Sequence, residues 1–402
     1  MLSADRVQLA YAPEAQFGVT PTTGSPAKFL RMTGESLSFE LSKETDKELN
    51  ATAEQTSSTT VGAQASGDIK VHMQYAEYDP FLASVCRSAW TAHGTNGISP
   101  VFAGTFTAST ITATGTAFNT LQPGQWIRLN APGHANDGKF FRNSMVTPAT
   151  ATVITVDTST PLATGTAVAG CSVASSRLTN GTTLSSFTIE RQIAEATPAQ
   201  VFAFRGMYGS KFSTQFASRS LTEATFTFLG KDSLRKNGTS YMPGTIAASQ
   251  TYDIQNGVTG VGNIWEGGAP LSNTVIKSIS LDIDSGLRAQ DALGVLGLAG
   301  VGIGTFVVTG SLEVYFADGA MYDKFIGDVY TSLTFSTKDA AGNGYVIQLP
   351  RVQLSNGKIQ AGSKNSDLMA TFDYTAYADK GNANANLRGT IFIDRVGAAV
   401  TP

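Results

Sequence analysis

The groups that could do chemistry in this 402-residue chain are few and scattered. Its three histidines, His72, His93 and His134, stand far apart, and none has a cysteine or carboxylate at metal-ligand spacing. Asp282-Ile-Asp284 sets two carboxylates on one strand face, a spacing open to acid–base work, but no partner base stands beside it. Gly300-Val-Gly-Ile-Gly304 begins like a phosphate-cradling glycine loop. Thr305 takes the place of the third glycine, however, and no capped helix follows. There is no Gly-x-Ser-x-Gly elbow and no kinase signature. Cys86 and Cys171 are too few for a disulfide framework and read as buried thiols. The expectation is a chain with no catalytic residue, no metal and no cofactor.

The elements that position these residues are strands, and they come twice. Gly67-Asp-Ile-Lys-Val-His-Met-Gln-Tyr-Ala-Glu-Tyr-Asp-Pro-Phe-Leu has a faint copy in Gly310-Ser-Leu-Glu-Val-Tyr-Phe-Ala-Asp-Gly-Ala-Met-Tyr-Asp-Lys-Phe. In each copy a glycine opens an alternating strand and Tyr-Asp-x-Phe starts a helix. Before each lies another alternating strand, Ser36 to Leu41 and Ser278 to Asp284, followed by a polar or glycine-rich excursion. After each helix two strands are expected: Ser186 to Glu190 and Leu221 to Phe228, then Ser332 to Ser336 and Leu368 to Tyr377. Such distant self-similarity signals one supersecondary unit used twice, as a ring of near-equivalent positions requires. The excursions Glu44 to Ala65 and Gly286 to Gly304 are too long for tight turns and are expected to order against a neighbour.

Composition agrees with strands. Glycine is abundant at 41, and only 15% of residues are charged, fewer than long surface helices carry. A net charge of −3 leaves no basic footprint for nucleic acid. The N-terminus lacks a basic region followed by an apolar core, and no long apolar run is present, so a soluble protein made in a cytoplasm is expected. Residues 98–181 differ in character. Short β-type runs there, such as Phe102 to Thr107 and Gln125 to Leu129, are separated by Gly, Pro and Asn turns, and the second half has no counterpart. This reads as a small all-β insert anchored on Phe106, Phe118, Trp126 and Ile154.

Several words resemble one family. Val7-Gln-Leu-Ala-Tyr-Ala-Pro-Glu-Ala-Gln-Phe-Gly-Val-Thr-Pro21 resembles the start of the tail tube, or major tail, proteins of long-tailed bacteriophages. So do Tyr78-Asp-Pro-Phe-Leu82 and Phe202-Ala-Phe-Arg-Gly-Met-Tyr-Gly-Ser-Lys211. Leu121-Gln-Pro-Gly-Gln-Trp-Ile-Arg-Leu129 is similar to the β-modules that decorate some of these tubes. The resemblance implies a mainly β fold with minor α. Two tandem antiparallel β-sandwich or half-barrel tube domains, each with one flanking helix, would carry a small inserted all-β domain. The domains would be 1–97 with 182–245, then 98–181 as the insert, then 246–402.

The resemblance further implies rings of this chain, trimeric because it is duplicated, stacked around a lumen that conducts viral DNA. Its partners would be copies of itself, the tape measure, terminator and tip proteins, and double-stranded DNA passing without sequence-specific binding. No membrane partner is expected, and the protein would be assembled in the host cytoplasm and end in the virion tail. Alternation puts Leu37, Ile69, Leu281 and Leu312 toward a core and Glu40, Asp68, Lys70, Asp282, Asp284 and Glu313 on the opposite face. These six are the candidate lumen lining, and their acidic excess would repel phosphate and let DNA slide. The competing reading is a virion or surface adhesin whose β-insert binds carbohydrate.

Overall fold

The computed structural model describes residues 3–400, apart from 23–26, 50, 158–160, 243, 259–263, 272–274, 317–318 and 383. The chain is mainly β. It opens with β1 (Val7–Pro13), β2 (Ser38–Thr45), β3 (Ser58–His72) and helix α1 (Asp79–Val85). Next come β4 (Phe102–Phe106), β5 (Thr110–Ala113), β6 (Trp126–Asn130), β7 (Lys139–Arg142), β8 (Val153–Thr155) and β9 (Gly165–Ala174). They are followed by β10 (Ser176–Thr179), β11 (Ser186–Ile193), β12 (Gln200–Ala217), β13 (Glu223–Gly230) and β14 (Asp232–Asn237). The second half holds β15 (Ile276–Asp284), β16 (Leu287–Gln290), β17 (Gly300–Ile303), β18 (Val307–Tyr315) and α2 (Ala320–Ile326). It ends with β19 (Thr331–Lys338), β20 (Gly344–Ala361), β21 (Leu368–Tyr377) and β22 (Phe392–Val396).

One strand order appears twice. β2, β3, β13 and β12 lie side by side, all antiparallel, and β15, β18, β21 and β20 repeat that order. The two sets fuse where β12 pairs with β15, from Lys211 opposite Asp284 to Ala217 opposite Ser278. Matching local bonds mark the duplication. Ser36 Oγ accepts the Asp68 N–H at 3.0 Å, and Ser280 Oγ accepts the Ser311 N–H at 2.8 Å. Ser36 therefore corresponds to Ser280, two residues along from the Ser278 that the sequence words suggest.

Three further expectations are corrected. Gly67 and Gly310 lie inside β3 and β18 rather than opening them. A Cβ on Gly67 (φ +146°) would sit 2.5 Å from Ser36 O, and one on Gly310 2.2 Å from Ser280 O and 2.4 Å from Tyr374 Oη. Glycine is there because a neighbouring backbone or ring occupies that space. The second Tyr-Asp lies within α2 instead of starting it, and the preceding Ala317 and Asp318 fall outside the described residues. The excursions are hairpins: β2 and β3 pair out to Thr45 opposite Ser58, and β16 pairs with β17.

Each half also has a long strand that the sequence reading lacked. β12 pairs first with β11 and β14, then with β13 and β15; β20 pairs first with β19 and β22, then with β21. β12 changes partners beside its bulge between Gly209 and Lys211; β20 changes partners at Arg351 and Val352 and is bulged a few residues later, between Ser355 and Lys358. A bulge slips the alternation by a residue, which hides the strand from a period-two reading. The helices pack against these bends. A Cβ on Gly209 would meet Val85 of α1 at 2.8 Å, and one on Gly357 would meet Phe325 of α2 at 2.7 Å. Under α1, Phe81 stacks edge-on against Phe187, Phe226 and Phe228 in the main core.

β4 to β9 form a separate sheet, ordered β7-β6-β9-β4-β5-β8, over a core that includes Phe106, Phe118 and Ile154. Trp126 belongs elsewhere: its ring lies 4.5 Å from that of Trp265, in a cluster with Val346 and Val396 of the second half. Beside it Asp394, fully buried, receives Arg177 Nε at 2.7 Å, Arg177 Nη2 at 2.8 Å and the Trp126 N–H at 2.9 Å. Arg177 also donates to Pro123 O and Gly124 O. The sheet is thus clamped to the second half by a charge pair that cannot be broken singly.

Arg177→Met should cost the subunit about 3–5 kcal/mol in urea unfolding, because it strands a buried carboxylate. Arg6→Met, which breaks the exposed pair with Glu195, should stay within about 1 kcal/mol. Burial also holds the His93 imidazole down to about 4 from its ordinary 6.5. The unfolded chain then takes up a proton first, so stability falls as pH drops from about 6.5 to about 4 and is unaffected above. Between about pH 7 and about pH 4, the wild type should lose on the order of 2–3 kcal/mol relative to His93→Gln in the same urea measurement.

Candidate functional site

The fused wall has one face turned to the core and one turned outward. On β15, Ile279, Leu281 and Ile283 are buried, so Ser278, Ser280, Asp282 and Asp284 project the other way. Register extends this outer face across the wall. Asp282 lies opposite Ser213 on one side and Thr309 on the other, Ser213 lies opposite Thr225, and Thr225 lies opposite Lys70. Directly opposed residues share a face. Asp68 accepts the Thr227 hydroxyl at 2.6 Å, Glu313 lies opposite Ser278, and Glu40 lies opposite Gln64. The register therefore puts Glu40, Asp68, Lys70, Asp282, Asp284 and Glu313 on one continuous polar surface.

That surface carries more cation than the sequence count suggested. Lys211 of β12 pairs with Asp284 at 2.9 Å, and Lys277 pairs with Glu313 at 2.9 Å. Lys358 stands opposite Thr371, itself opposite Glu313, so it joins the same face, as do Glu223 and Asp373. Glu313 in turn holds the Lys277 ammonium above its usual range, chiefly through their hydrogen bond. Lys211 and Lys358 were missed because their strands were missed. Lys277 was missed because β15 is bulged between Ile276 and Ser278, which turns a core-side position outward. Among the described residues the Asp282 side chain has neither hydrogen bond nor ion pair, and it is an open carboxylate on the surface.

The wall ends in two open edges. The outer side of β2 and the outer side of β20 beyond Gln353 have no strand partner among the described residues. Apolar side chains sit exposed along them: Phe39 at 37%, Leu41 at 48% and Ile359 at 39%. Unpaired, partly apolar edges of this kind are templates for another chain. The β2–β3 hairpin projects from the wall, and the β16–β17 hairpin has its end against Lys231, where Leu298 is buried. The β2–β3 arm is exposed on both faces, while the β16–β17 hairpin exposes Leu293, Val295 and Leu296 at its end. The base of the second hairpin is held by Arg87 Nη1 donating to Gly304 O at 3.0 Å.

The chemically suggestive groups elsewhere are structural. Asp79 of α1 accepts the Tyr345 hydroxyl at 2.6 Å and pairs with Arg395, all three buried. Burial, then the charge of Asp79, raises the Tyr345 phenol well above its ordinary range. Burial pushes the Cys86 thiol up to about 12, which removes its nucleophilic form. A cleft of about 280 Å³ next to this cluster is lined by Tyr11, Glu77, Trp90 and Arg395 among others, and it is mostly apolar. Gly300 to Ile303 form β17, with Gly304 just after it, rather than the start of a helix. Among the described residues no group of three His, Cys, Asp or Glu side chains is placed to hold a metal. No helix of the described chain is long and apolar enough to cross a membrane.

A family model described as phage tail tube protein matches residues 4–376. A search of curated proteins finds no match.

Substitutions on the polar face should separate its two acids. Asp282→Lys breaks no bond and should leave the subunit's urea stability within about 0.5 kcal/mol of wild type. Asp284→Lys loses the pair with Lys211 and the 2.7 Å bond it accepts from the Gly286 N–H, where φ is +60°. It should cost about 1–2 kcal/mol in the same measurement.

Proposed function

The chain belongs to the phage tail tube protein family, and from that membership we propose that three copies close into a ring and that stacked rings form a DNA-conducting tube. As a member of that family it is a structural component of a virion tail. The ring reading rests on one observation: a four-strand order used twice in a single wall that ends in two open edges. Each chain supplies two sets of four strands, so three chains supply twenty-four. At about 4.8 Å spacing and about 40° tilt, such a barrel has a backbone diameter of roughly 48 Å. Side chains reduce this to roughly 38 Å, wider than a duplex of about 20 Å. Closure satisfies the edge backbone groups that an isolated subunit exposes.

In this arrangement the polar face lines the lumen, with Glu40, Asp68, Lys70, Asp282, Asp284 and Glu313 toward the passing DNA. The paired lysines at 211 and 277 reduce the acidic excess without removing it, and serine and threonine fill the rows between. A weakly repulsive wall suits transit, because free cations would hold phosphate where it must slide. The projecting β2–β3 arm and the β16–β17 hairpin reach the next ring. The three units are 1–97 with 182–245, 98–181 and 246–402, the middle one carried on the outside as three knobs per ring. Tape measure, terminator and tip proteins are its remaining partners, the subunit is made in the host cytoplasm, and the assembly is non-enzymatic.

Negative-stain microscopy of the purified protein should show hollow rods; dispersed particles at every concentration would overturn the ring reading. Replacing residues 43–61 by an Asn-Gly turn shortens the arm while keeping Ser42 opposite Gly62, and should give a soluble subunit that forms no long rods. Virions assembled with Asp282→Lys should eject DNA more slowly, with the delay shrinking as salt rises. Normal, salt-independent ejection would remove Asp282 from the lumen.

A further inference from the structure

We infer that β20 of one copy pairs with β2 of the next in a fixed register, Lys358 opposite Ser38, with Lys358 forming an ion pair to Glu40 across the seam. This rests on the ring reading above and specifies its contact. The register follows from the chain itself, which contains one such seam between β12 and β15.

The correspondence between the halves can be followed strand by strand. Gly67 and Gly310 occupy equivalent places, opposite Phe228 and Tyr374. Three residues along, Lys70 lies opposite Thr225 and Glu313 opposite Thr371. Thr225 lies opposite Ser213, and Thr371 opposite Lys358, so Lys358 corresponds to Ser213. On the other edge, Asp282 lies opposite Thr309 and Ser38 opposite Ser66, each one residue before its glycine, so Ser38 corresponds to Asp282. Ser213 faces Asp282 inside the chain. By the same rule Lys358 faces Ser38 of the next copy.

The side chains in this register are complementary. Inside the chain, Phe212 lies opposite Ile283, both buried. Counting back from Lys358, Gly357, within the bulge of β20, falls at Phe39, so the exposed ring meets a position without a side chain. Ile359 falls opposite Leu37, where the internal seam has Thr214 opposite Leu281. Phe39 and Ile359, exposed at 37% and 39%, stand opposite Ala65 and Ala370 on the core-side face of their strands and become covered there. On the polar face the internal seam is tied by Lys211 and Asp284. Glu40 corresponds to Asp284, since Gln64 and Val307 are equivalent. The cation moves from position 211 to the diagonal Lys358, within reach of Glu40. A heterologous contact repeated by one rotation closes a ring.

Cysteine cross-linking tests the register in assembled rods. Directly opposite positions bring Cβ atoms to about 4.5–5.5 Å, close enough for a disulfide after small adjustment. Cys86 and Cys171 are buried and will not compete. After mild oxidation, Ser38→Cys/Lys358→Cys rods should run as covalent trimers without reductant. Ser38→Cys/Ile359→Cys and Ser38→Cys/Gln360→Cys should run as monomers. Cross-linking at 360 instead of 358 overturns the register, and rods that cross-link at none of these positions overturn the strand seam. If wild-type protein forms no rods, the ring reading itself fails. As a second measure, Glu40→Lys should raise the concentration needed for assembly about fivefold, and adding Lys358→Glu should restore it. Equal losses in the single and the double variant would remove the ion pair.

Discussion

An antiparallel wall is stable only where each backbone donor and acceptor finds a partner, and most of this fold follows from that constraint. The pairing of β12 with β15 meets it in the middle of the chain by joining two four-strand sets edge to edge. At the two ends of the wall a single chain leaves it to water. The helices, the bulges and the clamp to the inserted sheet all serve to hold this wall in one shape.

The long strands carry the architecture. β12 and β20 each change partners partway along and are bulged just beyond the change. A helix fills the inside of each bend, resting where Gly209 and Gly357 leave room. The repeated word Tyr-Asp does different work in its two copies. Tyr78 donates to Arg31 O at 2.8 Å, and Asp79 ties α1 to Tyr345 and Arg395 of the other half. In the second copy Tyr322 packs on Phe325 within α2. A shared word preserved the element while its contacts diverged.

Asp394 shows why the inserted sheet is more than a decoration of the first half. Its carboxylate is reached by the guanidinium of Arg177, just after the sheet's last strand, and by the backbone of Trp126 within it. Strand β10 pairs with β22 beside it. Breaking a buried pair costs more than forming it gains, so the contact fixes orientation more than it adds stability. Nothing in the spacing of Arg177 and Asp394, which stand 217 residues apart in the sequence, pointed to this bond.

Local alternation and the repeated words determined, from sequence alone, the β class, the duplication, the two helices and the face on which Glu40, Asp68, Lys70, Asp282, Asp284 and Glu313 lie. These depend only on a period of two and on residues close in the chain. Tertiary structure decided which strands are neighbours: β13 lies between β3 and β12 although it follows β12 in the chain. It also decided that lysines at 211 and 277 neutralise two of the expected acids, and that Trp126 packs outside its own sheet. The physical reason is that alternation fits any partner in many registers, and the choice is made by distant side chains meeting across the core.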